Sequence, residues 1–528
     1  GILIVLGAAI APHLGTELFP RADAGSFVVQ MRLASGTRIE KTHAFASEII
    51  GKMHRWVDPQ DLDLIISNEG VYYGFPAAYT PNAGTQDMFF IVGLTEKRTH
   101  TSQYYAKVVR DKMAQEYPNV EVNCQLGGLL TSALNAGLPA PIDIQIQGPK
   151  MSVAHDVAQQ ILDRIKTLPG AVDVRIQQRI DTPAYKMTVD RQKAAAIGLT
   201  VDEVVKNVVS AVSGSATFNP AIWVDPKTGI DYFMGVQFDL KLFDKLSDLL
   251  NIPITGENQI RSVPLAHIAT VTEAQVPTEV DHDDLQRVMD VYLDAQGRDV
   301  GSLSRAVEEA IHDIRVPDGY SWRIAGEISQ MRRAVNSLGG GFVLAAILVY
   351  LILVVQFRSF ILPMIMMISV PLGLVGVVAA LAATRTYFSI QAAIGAIFMI
   401  GIAVANGVLL IEFILHHLRD AKDMTTAIVQ GAQARLRPIM MTSLASVLGL
   451  VPMAVGYGHG AEANIPLGRA VIGGQLVSTA LTLVVVPVLF SLIFARQHRK
   501  KSGSSSNGDG DGSSDPAPSP TPSQPVRS

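Results

Sequence analysis

Two apolar segments in the last quarter of the chain carry polar residues at depths where a membrane helix would bury them. The first, residues 395–417, contains Asn406, and the second, residues 434–452, contains Arg435 and Thr442. Each segment is close to the roughly 20 residues that cross a bilayer as a helix. Polar and ionisable side chains inside a bilayer are energetically unfavourable and usually have a function. These residues are therefore the first candidates for chemistry inside a membrane.

At helical spacing, the polar residues of the second segment lie on one face. Arg435, Thr442, Ser446 and Gly449 share that face, and small and polar residues on one face indicate a surface turned to other helices. In this interpretation Arg435 has a functional role. The alternative is that Arg435 and Arg437 only anchor the helix where it leaves the membrane.

The composition indicates a membrane protein with a large water-exposed part. The chain has 528 residues, of which 48% are hydrophobic and 17% charged, and its formal net charge is −4. This charge gives no reason to expect a nucleic-acid partner. The single cysteine, Cys124, excludes a disulfide within the chain and a metal site built from several cysteines. The sequence also predicts no resident cofactor.

The first fourteen residues are apolar and begin abruptly. They start without methionine and without the basic region that a signal peptide needs. We expect residues 1–14 to be part of a membrane span. The sequence then predicts that the chain is a fragment, or the second half of a longer protein whose N-terminal half is missing.

Residues 15–337 alternate between strand and helix patterns. The first pattern, βαββαβ, ends near residue 135 and is typical of the split βαβ, ferredoxin-like arrangement. A second copy begins at Ile142, breaks off near residue 180 and resumes at Val288. Residues 181–287 therefore look like an insertion into the second copy.

Residues 338–495 contain five apolar runs that predict complete membrane spans. Most of the flanking arginines and lysines fall on one side, which predicts that this side is cytoplasmic and that the αβ region lies outside the inner membrane. Residues 499–528 are rich in Ser, Gly, Asp and Pro, and this composition predicts a disordered tail. The predicted spans are Leu338–Val355, Ile361–Ala383, Ala393–His416, Pro438–Tyr457 and Val471–Phe494.

Several stretches together resemble the second half of a resistance–nodulation–division (RND) efflux permease. They are GTELFPRADAGSF, GLPAPIDIQIQGP, LPGAVDVRIQQ, PAYKMTVDRQKAAAIGLTVDEV, GIAVANGVLLIEF and RLRPIMMTSLASVLGLVPMA. Their order around a broken repeat makes the resemblance specific, and the strand and loop motifs look like the hydrophobe and amphiphile efflux branch.

The resemblance implies an α+β membrane protein, with a polytopic α-helical bundle and periplasmic ferredoxin-like porter subdomains that contain an inserted docking subdomain. Residues 15–135 would form one porter subdomain, residues 136–180 and 288–330 the other, and residues 181–287 the docking subdomain. Members of the family are homotrimers that work with a periplasmic adaptor protein and an outer-membrane channel. They export small amphiphilic compounds, driven by proton influx.

The resemblance also implies a proton-coupling site in the membrane. In the better-known branch, two aspartates of the first half face a lysine on the span that here runs from Gly395 to His416. An arginine and a threonine on the next span assist them, and Arg435 and Thr442 match these two residues. The lysine position, just before Asn406, is Ala405 in this chain, so Arg435 is the remaining candidate cation.

For substrate contact, the loop of residues 68–86 matches the flexible pocket loop of the family. Aromatic surface suits chemically varied apolar ligands, because apolar burial is non-directional. Residues 89 and 90 are neighbours in a predicted strand, so that at most one of them faces a pocket. The candidate substrate-binding residues are Tyr72, Tyr73, Phe75, Tyr79, Phe89 and Phe90.

Three alternatives remain open at this point. The first is heavy-metal efflux, since thioethers bind soft ions and the chain has 17 methionines, although membrane packing is a commoner use of this residue. The second is an enzyme, for which no nucleophile–base pair, zinc motif or phosphate loop is visible. The third is a secretion or lipid-transfer accessory with the same fold.

Overall fold

The computed structural model describes residues 2–70, 81–126, 140–239, 243, 245–256, 260–420, 424–457 and 461–504. The chain divides into two compact units. The helical unit comprises residues 1–14, 335–456 and 464–528, and the αβ unit comprises residues 15–334 and 457–463.

The αβ unit begins with a four-stranded antiparallel sheet covered on one face by two helices. Its strands are β1 (Ser26–Arg32), β2 (Leu62–Glu69), β3 (Asp87–Leu94) and β4 (Glu121–Leu126), in the order β2-β3-β1-β4. Alternate residues of β1 and β3 are apolar and fully buried, as expected for a strand with one covered face. They pack with the apolar stripes of the helices α2 (Ile39–Trp56) and α3 (Ser102–Glu116). A short helix, α1 (Ile2–Ile10), precedes this sheet in the chain.

A second antiparallel sheet repeats this arrangement with strands from distant parts of the chain. Strand β14 (Gln286–Ala295) pairs with β5 (Ile142–Gln147) on one side and with β6 (Ala171–Ile176) on the other, and β15 (Ser321–Gly326) pairs with β5. Two helices, α4 (Met151–Ile165) and α8 (Val300–Ile311), contribute buried apolar residues. The short strand β13 (Asp281–Asp283) extends the edge beside β14.

Between β6 and β13 the chain forms a separate small core. Its strands are β7 (Thr182–Val189), which pairs with β12 (Ala269–Val276), β10 (Pro253–Ile254) and β11 (Val263–Pro264). Its helices are α5 (Arg191–Ala196), α6 (Val201–Val212) and α7 (Leu246–Leu250). A two-stranded hairpin of β8 (Ala221–Val224) and β9 (Asp231–Met234) has every residue exposed although most are apolar.

The helical unit contains five helices, or helix pairs, long and apolar enough to span a membrane within the described residues. These are α9 (Glu327–Phe357), the pair α10 (Ile361–Met367) and α11 (Ser369–Ala383), α12 (Ile390–Asp420), α13 (Met424–Val455) and α14 (Ile465–Ser504). The first turns of α9 belong to the αβ unit, and the helix then continues without a break.

All five predicted spans fall on these helices, and two details differ from the sequence prediction. The span predicted over Ile361–Ala383 is interrupted at Ile368, close to Pro371, whose ring cannot sit in an unbroken hydrogen-bond ladder. Helix α13 begins at Met424, well before the span predicted from Pro438, so Arg435 lies inside α13 and not at its end.

Candidate transport site

The predicted coupling residues lie on the neighbouring helices α12 and α13, which approach closely. A Cβ added to Gly431 of α13 would lie 2.9 Å from the Cα of Ile414 of α12, so glycine permits the contact. One turn further, the Arg435 guanidinium lies 3.6 Å from the centre of the Phe413 ring. This is a cation–π contact. The Arg435 Nε is buried and has no hydrogen-bond partner among the described residues.

On the face of α13 that carries Thr442 and Ser446, the polar side chains do not turn towards the described helices. Thr442 and Ser446 are exposed, and their hydroxyls donate to carbonyls of their own helix, Pro438 O at 3.2 Å and Thr442 O at 2.9 Å. Ser443 is the buried polar residue, and its hydroxyl lies 2.8 Å from that of Thr479 on α14. Among the described residues the Thr442 face is therefore left exposed, and its part in coupling stays a prediction.

Asn406 lies inside the bundle. Its side chain is buried, among the apolar residues of α12. Among the described residues, Asn406 makes no hydrogen bond with Arg435 or Thr442, and these three residues remain candidates on separate surfaces of the two helices.

In the αβ unit, the four-stranded first sheet and the five-stranded second sheet meet through charged and amide side chains. Arg32 on β1 donates from Nε to Asp87 Oδ1 at 2.8 Å and from Nη1 to the carbonyl of Gln177 at 2.8 Å. Arg110 on α3 pairs with Asp173 on β6 at 2.7 Å. A polar interface of this kind separates more readily than an apolar core does. It therefore suits two layers that move relative to each other.

A cavity of about 540 Å³ lies beside this interface. Its charged lining consists of three cations, Lys166, Arg175 and Arg179, and two carboxylates, Glu121 and Asp181. Glu121 is already paired with Arg179 at 2.6 Å. The lining therefore favours a negatively charged or neutral polar guest over a cation.

Arg175 is a half-buried cation of this lining. Its Nη2 donates to Gln30 Oε1 at 3.1 Å and its guanidinium lies 5.5 Å from the centre of the Tyr292 ring. No carboxylate of the described residues lies within ion-pair distance of it. Burial and the nearby Arg32 lower the pKa of Arg175 to about 10.

Two aspartates lie buried behind the cavity on neighbouring strands. Asp143 on β5 is directly opposite Tyr292, and Asp290 is opposite Gln145, so that the two carboxyls are diagonal neighbours on one face. Burial, followed by the charge of Asp290, raises the pKa of Asp143 to about 8. The pKa of Asp290 is raised to about 6, chiefly by burial.

The hydrogen bonds around this acid pair are incomplete. Gln145 donates to Asp143 Oδ2 at 2.8 Å, and Gln178, a residue of the cavity wall, donates to Asp290 Oδ2 at 2.6 Å. Oδ1 of each aspartate is buried without a partner among the described residues. Protonation of one carboxyl removes the repulsion between the pair and agrees with both raised pKa values. Within the described residues no group of three or more His, Cys, Asp or Glu is placed to hold a metal ion.

Most of the predicted aromatic contacts lie outside the described residues. Tyr72, Tyr73, Phe75 and Tyr79 all belong to residues 71–80. The other two candidates, Phe89 and Phe90, are neighbours on β3 and point to opposite faces of the sheet. Phe90 is fully buried in the core beneath the first sheet and is assigned to packing, whereas Phe89 is half-buried on the other face.

Sequence reasoning missed Arg175, Asp143 and Asp290. A signal was present, because the strands IDIQIQG and VDVRIQQ alternate apolar residues with Asp, Gln and Arg. Such alternation normally indicates a solvent-facing side. Only the packing of the second sheet against the first turns that side inward.

Comparisons with known proteins agree with this architecture. A family model described as AcrB/AcrD/AcrF matches residues 1–494. In a solved structure titled as a heavy metal efflux pump, crystal form II, the match covers 94% of this chain and 49% of that one, with a TM-score of 0.79 and 24% identity. At that identity the likeness concerns the fold. Five apolar helices and this family are consistent with a multi-pass inner-membrane protein with a large periplasmic domain.

Several curated relatives span the branches of this family. The chain is 28% identical over 94% of its length to the cobalt-zinc-cadmium resistance protein CzcA of Cupriavidus metallidurans, and covers 46% of it. It is 31% identical over 75% of its length to the nickel and cobalt resistance protein CnrA of the same organism, covering 37% of it. The multidrug resistance protein MdtC of Escherichia coli is 25% identical over 90% of the chain, which covers 45% of that protein. The chain thus spans about half the length of these relatives, or less. It belongs to the AcrB/AcrD/AcrF family of RND permeases.

Proposed function

We propose that this chain is the second half of an RND efflux permease, which exports its substrate by secondary active transport, driven by protons. The observation that carries the proposal is the family match over residues 1–494. A cavity beside the interface of the two sheets in the αβ unit adds to it. RND permeases are transporters and not enzymes, and the site described above contains no nucleophile with an adjacent base.

The domain arrangement follows from the same proposal. Both sheets have the strand order that a ferredoxin-like repeat requires, β2-β3-β1-β4 and β6-β14-β5-β15. This order supports two porter subdomains, residues 15–135 and residues 136–180 with 288–330. The separate core of residues 181–287 then serves as the docking subdomain.

We place proton coupling on α12 and α13. Arg435 supports this role because its Nε is buried inside a membrane helix without a partner among the described residues, and a buried cation is unfavourable unless a counter-charge arrives. In the complete permease we expect carboxylates of the other half to meet Arg435, in the place of the lysine that is Ala405 here. Asn406 and Thr442 would then supply hydrogen bonds to that site.

Heavy-metal ions are the first candidate cargo. The relatives named CzcA and CnrA are resistance proteins for cobalt, zinc, cadmium and nickel, and they match this chain with higher identity than MdtC does. This comparison favours metal efflux over the amphiphile branch that the loop motifs suggested. The metal ligands would have to come from the other half or from an arrangement that forms during transport, because the described residues hold no such cluster.

An organic amphiphile, with a negatively charged group, is the second candidate. Arg175 supports it, because this cation lines the cavity without a paired carboxylate and would repel a metal ion. The loop with Phe75 and Tyr79 is rich in aromatic residues and contains no Asp, Glu, His, Cys or Met between residues 71 and 80, so it offers apolar contact and no strong metal ligand.

Resistance measured in a pump-deficient strain that carries the full-length permease separates the two cargoes. The variants are Arg175→Ala and, as a matched control, Arg315→Ala, since Arg315 is an exposed arginine of the same unit. A charge-assisted hydrogen bond contributes about 1.5–3 kcal/mol, so Arg175→Ala should lower resistance to anionic amphiphiles about tenfold or more. If metals are the cargo, the same variant should leave zinc, cobalt and nickel resistance unchanged or higher. A permease that protects against neither class would refute the efflux proposal.

Assembly is part of the proposal. We expect a homotrimer that works with a periplasmic adaptor and an outer-membrane channel. The β8–β9 hairpin supports association, because Trp223, Tyr232 and Phe233 are large apolar side chains left between 47% and 74% exposed. An exposed apolar hairpin of this kind is typical of a protein–protein contact.

A further inference from the structure

One helix of the bundle carries a polar stripe that none of the roles above uses. On α14, Gln475, Ser478, Thr479 and Thr482 follow one another at spacings of three, one and three residues and so share a face. All four are between 1% and 4% exposed. The stripe is about 10 Å long, from the helical rise of about 1.5 Å per residue. We call these four residues the polar track.

The neighbouring helices contribute polar groups at the middle of the polar track. The Thr479 hydroxyl lies 2.8 Å from that of Ser443 on α13. The Ser478 hydroxyl makes a longer contact, 3.5 Å, with the carbonyl of Ser369 on α11. Polar groups of three helices therefore converge at this point of the bundle.

The two ends of the polar track lack partners. Gln475 Oε1 and Thr482 Oγ1 are buried, and neither has a hydrogen-bond partner among the described residues. Hydroxyls in helices usually bond to a carbonyl of their own helix, as Thr442 and Ser446 do here. Thr482 does not. Buried polar atoms in proteins are nearly always satisfied, by protein or by ordered water.

We propose that the polar track binds a short chain of ordered water molecules inside the helical unit. Gln475 and Thr482 bind the two ends of this chain, and the Ser478 and Thr479 hydroxyls bind its middle. The track is closed at one end, because the same face of α14 continues beyond Gln475 with the buried apolar residue Val471. The water is therefore held within the bundle and does not form an open pore.

The test uses single cysteines in a chain whose Cys124 is replaced by alanine. Thiolate is the reactive form of cysteine, and an apolar environment suppresses it. Methyl methanethiosulfonate is small, uncharged and soluble in membranes, so its reaction rate reports ionisation of the thiol. Intact-mass spectrometry follows the reaction of Thr482→Cys and of the nearly isosteric Ser478→Cys in the full-length protein in vesicles.

Two matched controls lie on the same helix. Val486 is fully buried in apolar surroundings, and Val484 is 63% exposed on the side away from the described helices. We expect the two track cysteines to react at least about tenfold faster than Val486→Cys and Val484→Cys, since each step of one in pKa changes the thiolate fraction tenfold. Equal rates at all four positions would overturn the proposal.

A second measurement needs no substitution. X-ray radiolysis generates hydroxyl radicals from bound water, and these oxidise the side chains beside it. We expect oxidation in the segment 475–483 and little at Val486 and Phe490, both fully buried. Labelling that is equally low in both places would contradict a hydrated track. Neither experiment depends on transport, so the outcome is independent of the efflux proposal.

Discussion

Replacing Asp143 by asparagine tests the buried acid pair. In the folded chain, burial and the charge of Asp290 raise the pKa of Asp143 from 3.8 to about 8. A difference of one in pKa corresponds to about 1.4 kcal/mol, so this rise corresponds to on the order of 5 kcal/mol of folding stability. Asparagine has nearly the same shape as the protonated acid and cannot ionise. We therefore expect Asp143→Asn to stabilise the protein at high pH.

The sign follows from proton linkage. Below pH 3.8 both the folded and the unfolded chain hold the proton on Asp143, and no stability is lost. As the pH rises towards 8, the unfolded chain releases the proton while the folded chain keeps it, so the unfolded state is favoured increasingly. The stabilisation by Asp143→Asn should thus be small at pH 4 and reach a few kcal/mol at pH 8.

The assay is thermal unfolding of the full-length protein in detergent at a series of pH values, followed through the αβ unit by tryptophan fluorescence. Asp163→Asn is the matched control, since Asp163 is an exposed aspartate on α4. The control should show no pH-dependent difference. Equal destabilisation by Asp143→Asn at pH 4 and pH 8 would refute the reasoning, because it would show that the ionised carboxylate is the form that the fold requires.

Three further predictions concern other parts of the chain. In the full-length permease, Arg435→Ala should abolish export without preventing membrane insertion; normal export by Arg435→Lys, with little loss in Arg435→Ala, would show that it only anchors the helix. Cys124 is fully buried, and burial raises the pKa of its thiol well above its usual range, so maleimide should label it only after unfolding; labelling of the native protein at the unfolded rate would contradict this. Gly326→Ala should destabilise the αβ unit by about 1–3 kcal/mol, measured as a lower unfolding temperature, because the residue has φ +89° and an added Cβ would lie 2.6 Å from the carbonyl oxygen of Pro141; an unchanged temperature would show that the turn relaxes.

The hairpin gives a prediction about assembly. Phe233→Glu should weaken the expected trimer, because it places a charge on an apolar surface that is 74% exposed in the single chain. Light scattering of the full-length protein in detergent measures the assembly. Lys227, on the connection between the two strands of the hairpin, provides a control in Lys227→Glu, which should leave the assembly intact. A trimer that survives Phe233→Glu unchanged would remove the hairpin from the interface.

The elements of the fold were predictable from the sequence to a large extent. The first sheet has the predicted order βαββαβ, and all five predicted spans fall on helices. These features depend on local periodicity and on runs of apolar residues, which a sequence displays directly. The sequence analysis did not predict the break at Ile368 or the helical start of α13 at Met424, which arise where proline placement and tertiary packing decide the backbone.

The candidate site was predictable only in part. By itself, the sequence determined which helices carry membrane charges and polar groups, including Arg435 and Asn406, because such residues stand out in an apolar run. Only the tertiary structure decided which of them turn inward: Ser443 and not Thr442 faces α14, and Asp143 meets Asp290 across 147 positions of the chain. Contacts between residues so far apart depend on how sheets and helices pack together, and local patterns do not encode that packing. The same strand alternation that indicates a solvent-facing side in one sheet therefore becomes a buried charged interface when a second sheet covers it.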